Sequence, residues 1–202
     1  MTAMTETETR QTTIEGQKRW FALVVLCMGS LMIVLDTTIV NVALPSIRTD
    51  LGFTQESLAW VVNAYLLTYG GLLLLGGRLG DLYGHRRLFI YGITLFTLSS
   101  LACGLSGSQG FLVAARAVQG VGGAVASAVS LSLIMILFTE VGERTKAMGF
   151  FGFVASGGGT LGVLLGGVLT DALSWHWIFL VNVPIGLAVC ALCLRLLPPD
   201  EV

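Results

Sequence analysis

The chain has 202 residues, 54% hydrophobic and 11% charged, with a net charge of -1 and a mean hydropathy of +0.84. Soluble domains carry about 25% charged residues, so this composition excludes an ordinary soluble domain and points to helices immersed in lipid. The near-zero net charge leaves no basic field for nucleic acid, and no nucleic-acid partner is expected.

In chain order, residues 1–18 are rich in Thr, Glu and Gln without periodicity, which predicts a disordered cytoplasmic tail. The polar start and the length of the first apolar run argue against a cleavable signal peptide. Lys18 and Arg19 close the tail, and Trp20 follows as an interfacial aromatic. Residues 19–197 read as one membrane domain of six spans, followed by a short C-terminal end, 198–202. Span one runs from about Trp20 to Pro45 and holds Asp36, the only acidic residue deep in any span. Ser30, Thr37 and Asn41 share one face of this helix, and Asp36 lies about 100° away.

Ser46 to Ser57 reads as an external loop, and span two as Leu58 to Leu75, with Trp60 and Tyr65 near its outer end and Asn63 inside. Gly76 to Arg87 reads as a charged, glycine-rich internal turn. Span three, Leu88 to Leu105, is apolar apart from Ser and Thr, whose hydroxyls are expected to bond their own helix. After the turn Ser106 to Gly110, span four runs from Phe111 to Phe138. In it Arg116, Gln119, Gly120, Gly123, Ser127 and Ser130 form one polar or small face. Thr139 to Lys146 is a charged internal loop. Span five, Ala147 to Leu169, carries Gly158, Gly162 and Gly166 at four-residue spacing, a helix-packing seam. The turn Asp171 to Trp177 leads into span six, Ile178 to Leu197, with Pro198 and Pro199 expected to stop it.

Of the eleven basic residues, Arg10, Lys18, Arg19, Arg78, Arg86, Arg87, Arg144, Lys146 and Arg195 fall on the proposed inner side. That bias predicts six spans with the N-terminus cytoplasmic. Spans one to three and four to six are expected to form a 3+3 inverted repeat within an all-α bundle. Cys27, Cys103, Cys190 and Cys193 read as small buried hydrophobes. Neither a metal site nor a cofactor is expected. No nucleophile–base set stands out, which argues against an enzyme.

An ionisable residue in a membrane helix is a functional hypothesis by default. Asp36 and Arg116 have opposite sign, and their depths differ by only about 6 Å at 1.5 Å per residue. Two readings follow: a proton-binding carboxylate tuned by the arginine, or a static pair that locks spans one and four. Asp81 is expected to pair with Arg86 or Arg87 and a helix N-terminus elsewhere, against the plainer reading of a solvated loop acid. His85 and His176 lie in turns. Trp60, Trp175 and Trp177 read as interface anchors.

Four stretches together resemble one family. Gly77 to Arg87, with Gly77, Asp81, Gly84, Arg86 and Arg87 at the positions of its pattern, resembles the loop between spans two and three of major facilitator superfamily transporters. Leu35 to Pro45 resembles the first-span motif of that family's fourteen-span drug:proton antiporters, and Arg116 to Ala124 the fourth-span motif. Trp175 to Gly186 resembles the entry to the sixth span of the same branch. The resemblance implies proton-coupled efflux of hydrophobic or cationic drug-like compounds across a cell membrane. Asp36 and Arg116 would handle the proton, Thr37, Asn41, Asn63 and Gln119 would line the substrate path, and Gly77 to Arg87 would gate. It also implies a second six-span half, on the same or another chain, or a homodimer. The alternative is a half-transporter without transport activity of its own, acting only with a partner half or as an interaction subunit. One departure stands out: Val163 occupies a position where the antiporter pattern has proline.

Overall fold

A computed structural model describes the backbone of residues 2–197 and the side chains of residues 16–197. Its helices are α1 (Thr2–Leu51), α2 (Gln55–Tyr83), α3 (His85–Gly104), α4 (Gln109–Leu137), α5 (Val141–Ala172), α6 (His176–Leu180) and α7 (Asn182–Leu196). Helices α1 to α5 supply five spans, and α6 with α7 supplies the sixth, giving six segments long and apolar enough to cross a membrane. No strand occurs among the described residues.

The helices run further than hydropathy indicates, because polar residues extend a helix already nucleated in an apolar stretch at little cost. Thus α1 continues upstream through residues read as a disordered tail, and downstream through Pro45 to Leu51. The connection to α2 shrinks from the expected Ser46 to Ser57 to Gly52–Thr54, where Gly52 has φ +69°. Thr54 caps α2 by a reciprocal arrangement with Ser57. Helix α5 is continuous through Val163. The expected stop at Pro198 and Pro199 lies outside the described residues.

Span six is interrupted in its hydrogen-bond ladder rather than in its path: Val181 separates α6 from α7 but keeps helical angles (φ -61°, ψ -26°) and donates its N–H to the Trp177 carbonyl at 3.0 Å. Pro184 lacks an N–H, so the carbonyl of Leu180 loses its donor four residues on, and a break there costs less than it would elsewhere.

Packing follows the small residues. Helix α1 packs on α5, α4 on both α2 and α3, and α7 on α3 and α1. Exchanging spans one, two and three with four, five and six turns the α1–α5 pair into the α4–α2 pair, as a two-fold 3+3 repeat requires. In the first pair, a Cβ on Gly158 or Gly166 would press Leu31 or Ile39 of α1, and one on Gly162 would collide with Thr38. In the second, Gly76 lies against the Val125 backbone, and a Cβ on Gly120 would collide with Thr68. Close approach also permits a bond between helices: Thr68 Oγ1 donates to the Ala117 carbonyl at 2.8 Å.

Two apolar clusters flank the middle of the bundle. One, around Leu23, Phe89, Phe138 and Val189, lies toward the end where Arg19 meets Glu143 at 3.3 Å. The other, around Ile47, Leu112, Trp175 and Phe179, lies toward the opposite end. There Gln109 donates to the Leu51 and Gly52 carbonyls, and Trp175 Nε1 donates to Asp50 Oδ2 at 2.9 Å. Trp175 is therefore buried rather than an interface anchor, because its N–H has a partner inside the bundle. Trp60 and Trp177 are exposed.

Candidate functional site

Between the two apolar clusters the helices bring together a closed set of polar side chains. Asp36 of α1 is 0% exposed and Arg116 of α4 is 1% exposed. Arg116 Nη1 donates to Asp36 Oδ2 at 2.6 Å and to Gln119 Oε1 at 2.8 Å. Its Nε donates to the Val61 carbonyl of α2 at 3.0 Å. The guanidinium lies 4.3 Å over the ring of Tyr65 and 5.8 Å from that of Phe179. Aromatic faces hold the parts of the cation that find no oxygen.

The other carboxylate oxygen is bound from α4 again and from one further helix. Gln119 Nε2 donates to Asp36 Oδ1 at 2.8 Å, and Asn182 Nδ2 of α7 donates to the same oxygen at 3.2 Å. Both amides also donate to Ser100 Oγ of α3, at 3.1 and 2.9 Å. Ser100 in turn donates to the Phe179 carbonyl at 3.1 Å. Five of the six spans thus contribute an atom to one network centred on Asp36. Charge-assisted bonds of this kind are roughly twice as strong as neutral ones. They offset the cost of removing two charges from water, which is several kcal/mol per ion.

The network suits one charge state of the carboxylate. Three donors converge on its two oxygens, which an ionised carboxylate accepts without rearrangement. A protonated carboxyl would add a donor among donors and cancel one charge of the pair. An ionised and a protonated carboxyl would therefore bond differently here.

The residues expected along a substrate path divide. Gln119 is sealed inside the network and lines no open face, because both ends of its amide are bound there. Thr37 is half-buried and donates to the Val34 carbonyl. Asn41 and Asn63 are exposed, and Asn41 Nδ2 donates to the Thr37 carbonyl. Among the described residues, no cluster of His, Cys, Asp and Glu is suited to a metal ion.

The charged segment between spans two and three is not the open turn that its glycines suggest. Helix α2 continues through Gly77, Asp81 and Tyr83, and α3 begins at His85. Gly76 and Gly80 are spaced for packing: a Cβ on Gly80 would press Val129 of α4 at 2.9 Å. Only Gly84 breaks the helix, at φ +95° and ψ +131°, which side chains other than hydrogen strongly resist. Asp81 lies near Arg78 (4.0 Å), one turn back on α2, and near His85 (3.4 Å) across the break at Gly84, not Arg86 or Arg87 as expected. Arg86 reaches across to the Leu194 carbonyl at the end of α7, at 2.9 Å.

Three members of the central site were not anticipated. Tyr65 reads as an interfacial ring, yet it is buried under Arg116. Ser100 belongs to a set of hydroxyls expected to bond their own helix; Thr97 and Ser99 do, but Ser100 crosses to span six. Asn182 carried one usable signal: it is a lone amide in an apolar run.

The sequence profile of the Major Facilitator Superfamily matches residues 26–202. The chain is 50% identical over 184 residues to the puromycin resistance protein pur8 of Streptomyces alboniger, covering 91% of this chain and 36% of that protein. It is 50% identical over 176 residues to the cephamycin export protein CmcT of Amycolatopsis lactamdurans, covering 87% and 36%. With the lincomycin resistance protein of Streptomyces lincolnensis it shares 42% over 189 residues, covering 92% and 38%. The chain thus spans little more than a third of the length of these relatives. Among solved structures, the proton:xylose symporter XylE bound to 6-bromo-6-deoxy-D-glucose superposes with a TM-score of 0.79 at 18% identity, over 92% of this chain and 46% of that one. The inward-open XylE of E. coli superposes with a TM-score of 0.77 at 19% identity, over 91% and 49%. The profile match and these identities lead to one assignment: the chain is a multi-pass membrane protein and belongs to the Major Facilitator Superfamily.

Proposed function

We propose that the chain forms the N-terminal six-span unit of a proton-coupled exporter of hydrophobic or cationic drug-like compounds, with Asp36 as the proton-binding group. The observation that carries the reading is the enclosure of Asp36 by three donors from spans four and six. A carboxylate bound this completely changes its surroundings when it takes a proton, and alternating access turns such a change into transport. Arg116 is the counter-charge. Thr37, Asn41 and Asn63 lie nearer the open face and line the route. The names of the relatives, which speak of resistance and export, support drug-like cargo. The basic residues at the Arg19 end favour a cytoplasmic N-terminus in a plasma or bacterial inner membrane.

The chain works beside a second six-span unit. Spans two and five are the least covered: 22% and 17% of their most apolar windows are buried, against 61% for span one. A partner half on the same or another polypeptide, or a second copy, would cover them and close the route that Asn41 and Asn63 border.

The test is export of a fluorescent cation from membrane vesicles containing the chain, alone and together with the remaining part of a related transporter. Export that collapses with the proton gradient is expected, and expected to vanish in Asp36→Asn. Proton-driven export at the parent rate in Asp36→Asn would overturn the reading. Export that needs the added part would identify the chain as a half that works only with its partner.

A further inference from the structure

We infer that Asn182 is a positioning residue that transmits the charge state of Asp36 to the short outer helix of span six. The inference rests on the reading of Asp36 as the proton-binding group. The hydrogen-bond ladder of span six is interrupted at Val181, and Ser100 holds both sides of this break in the ladder. On one side the Phe179 carbonyl accepts from Ser100 Oγ at 3.1 Å. On the other, Asn182 Nδ2 donates to Ser100 Oγ at 2.9 Å and to Asp36 Oδ1 at 3.2 Å. Asn182 is 1% exposed, so its amide has no water to turn to.

An ionised Asp36 accepts from Asn182 and holds the break in its present form. A proton placed on Oδ1 would set an O–H against the two amide N–H groups that now share that oxygen. Asn182 then keeps only Ser100, and the clamp across Val181 loses its link to span one. On the far side of the break, α6 is preceded by Trp175, which donates to Asp50 at the end of span one and stacks on His176 at 3.7 Å. A shift of α6 is therefore felt at the Asp50 end of span one. Around Asp36 the titratable or charged groups are Arg116 and Tyr65, with Cys103 3.7 Å from Gln119. Around α6 they are Asp50 and His176.

The experiment follows two signals across pH in the same purified, lipid-reconstituted protein. Infrared difference spectra report the carboxyl stretch of Asp36, identified by its loss in Asp36→Asn. Fluorine NMR of 5-fluorotryptophan reports exposed Trp177 on α6, identified by Trp177→Phe. All variants carry His176→Gln, so the neighbouring imidazole adds no titration. In the parent the two signals are expected to share one midpoint. In Asn182→Ala the carboxyl still titrates but the Trp177 resonance no longer follows it. Ser100→Ala, which leaves the Asn182–Asp36 bond in place, is expected to reduce the amplitude of the Trp177 response without abolishing it. A Trp177 signal that tracks the carboxyl equally well in Asn182→Ala would overturn the inference. Absence of any Asp36 carboxyl titration would instead overturn the proton-binding role.

Discussion

Two ion pairs of this molecule use the same chemistry in opposite surroundings. Asp36 and Arg116 meet at 2.6 Å with side chains 0% and 1% exposed; Asp81 and Arg78 lie 4.0 Å apart with side chains 58% and 80% exposed. In the first, both carboxylate oxygens and two guanidinium nitrogens have been drawn into a network spanning five of the six spans. In the second, water solvates both charges, and the pair adds little to what each already has. Burial, not sequence conspicuousness, decides which charges are tied into the bundle. The segment around Asp81 carries four charged residues and stands out in the sequence, yet its Gly76 and Gly80 serve helix packing. The quieter pair in the bundle centre is the one that side chains of neighbouring spans enclose.

The largest expected effect lies on the buried side. Arg116→Met removes the counter-charge and leaves Asp36 unpaired in a dry site. It should destabilise the bundle by about 3–5 kcal/mol, read as a lower thermal midpoint in detergent micelles. A loss below about 1 kcal/mol would mean that water reaches Asp36, and the contrast with Asp81 would shrink.

Next come the packing glycines. Gly162→Ala places a methyl where Thr38 already sits, and should cost about 1–3 kcal/mol. Gly167→Ala meets nothing within 4 Å and should fall within about 0.5 kcal/mol of the parent. Equal effects at the two sites would remove the argument that span five packs on span one through a specific seam.

A smaller effect is expected where one hydrogen bond joins two helices. Thr68→Val deletes the donor to the Ala117 carbonyl and should cost about 0.6 kcal/mol, the average for such bonds in membranes. The smallest stability effect belongs to the exposed pair. Asp81→Asn should change stability by less than about 0.5 kcal/mol, and less still at high salt. A transport defect in Asp81→Asn at unchanged stability would then report gating directly.

How much of this was legible in the residues depended on how costly each feature is to place in lipid. The six spans were legible, because long apolar runs have few alternatives. Asp36 and Arg116 were legible for the reverse reason: charges are so expensive there that each demands a partner. Ser100 and Asn182 were not, because a hydroxyl or amide costs far less and often bonds its own helix, as Thr97 and Ser99 do. Helix ends were also illegible, since Pro45 and the polar residues to Leu51 continue a helix that hydropathy ends sooner. The glycines at 76, 80 and 84 illustrate the remaining ambiguity. Two pack helices and one breaks them, and only tertiary neighbours tell them apart.

The central claim is that the buried pair couples protons rather than merely locking spans one and four. The most direct measurement is proton-driven export by the double variant Asp36→Asn with Arg116→Gln in the assembled transporter, normalised to folded protein. Removing both charges at once relieves the unpaired charge that either single change leaves. The account predicts that folded yield recovers toward the parent while proton-driven export stays absent. Export returning together with the fold would contradict it and leave the pair as a lock.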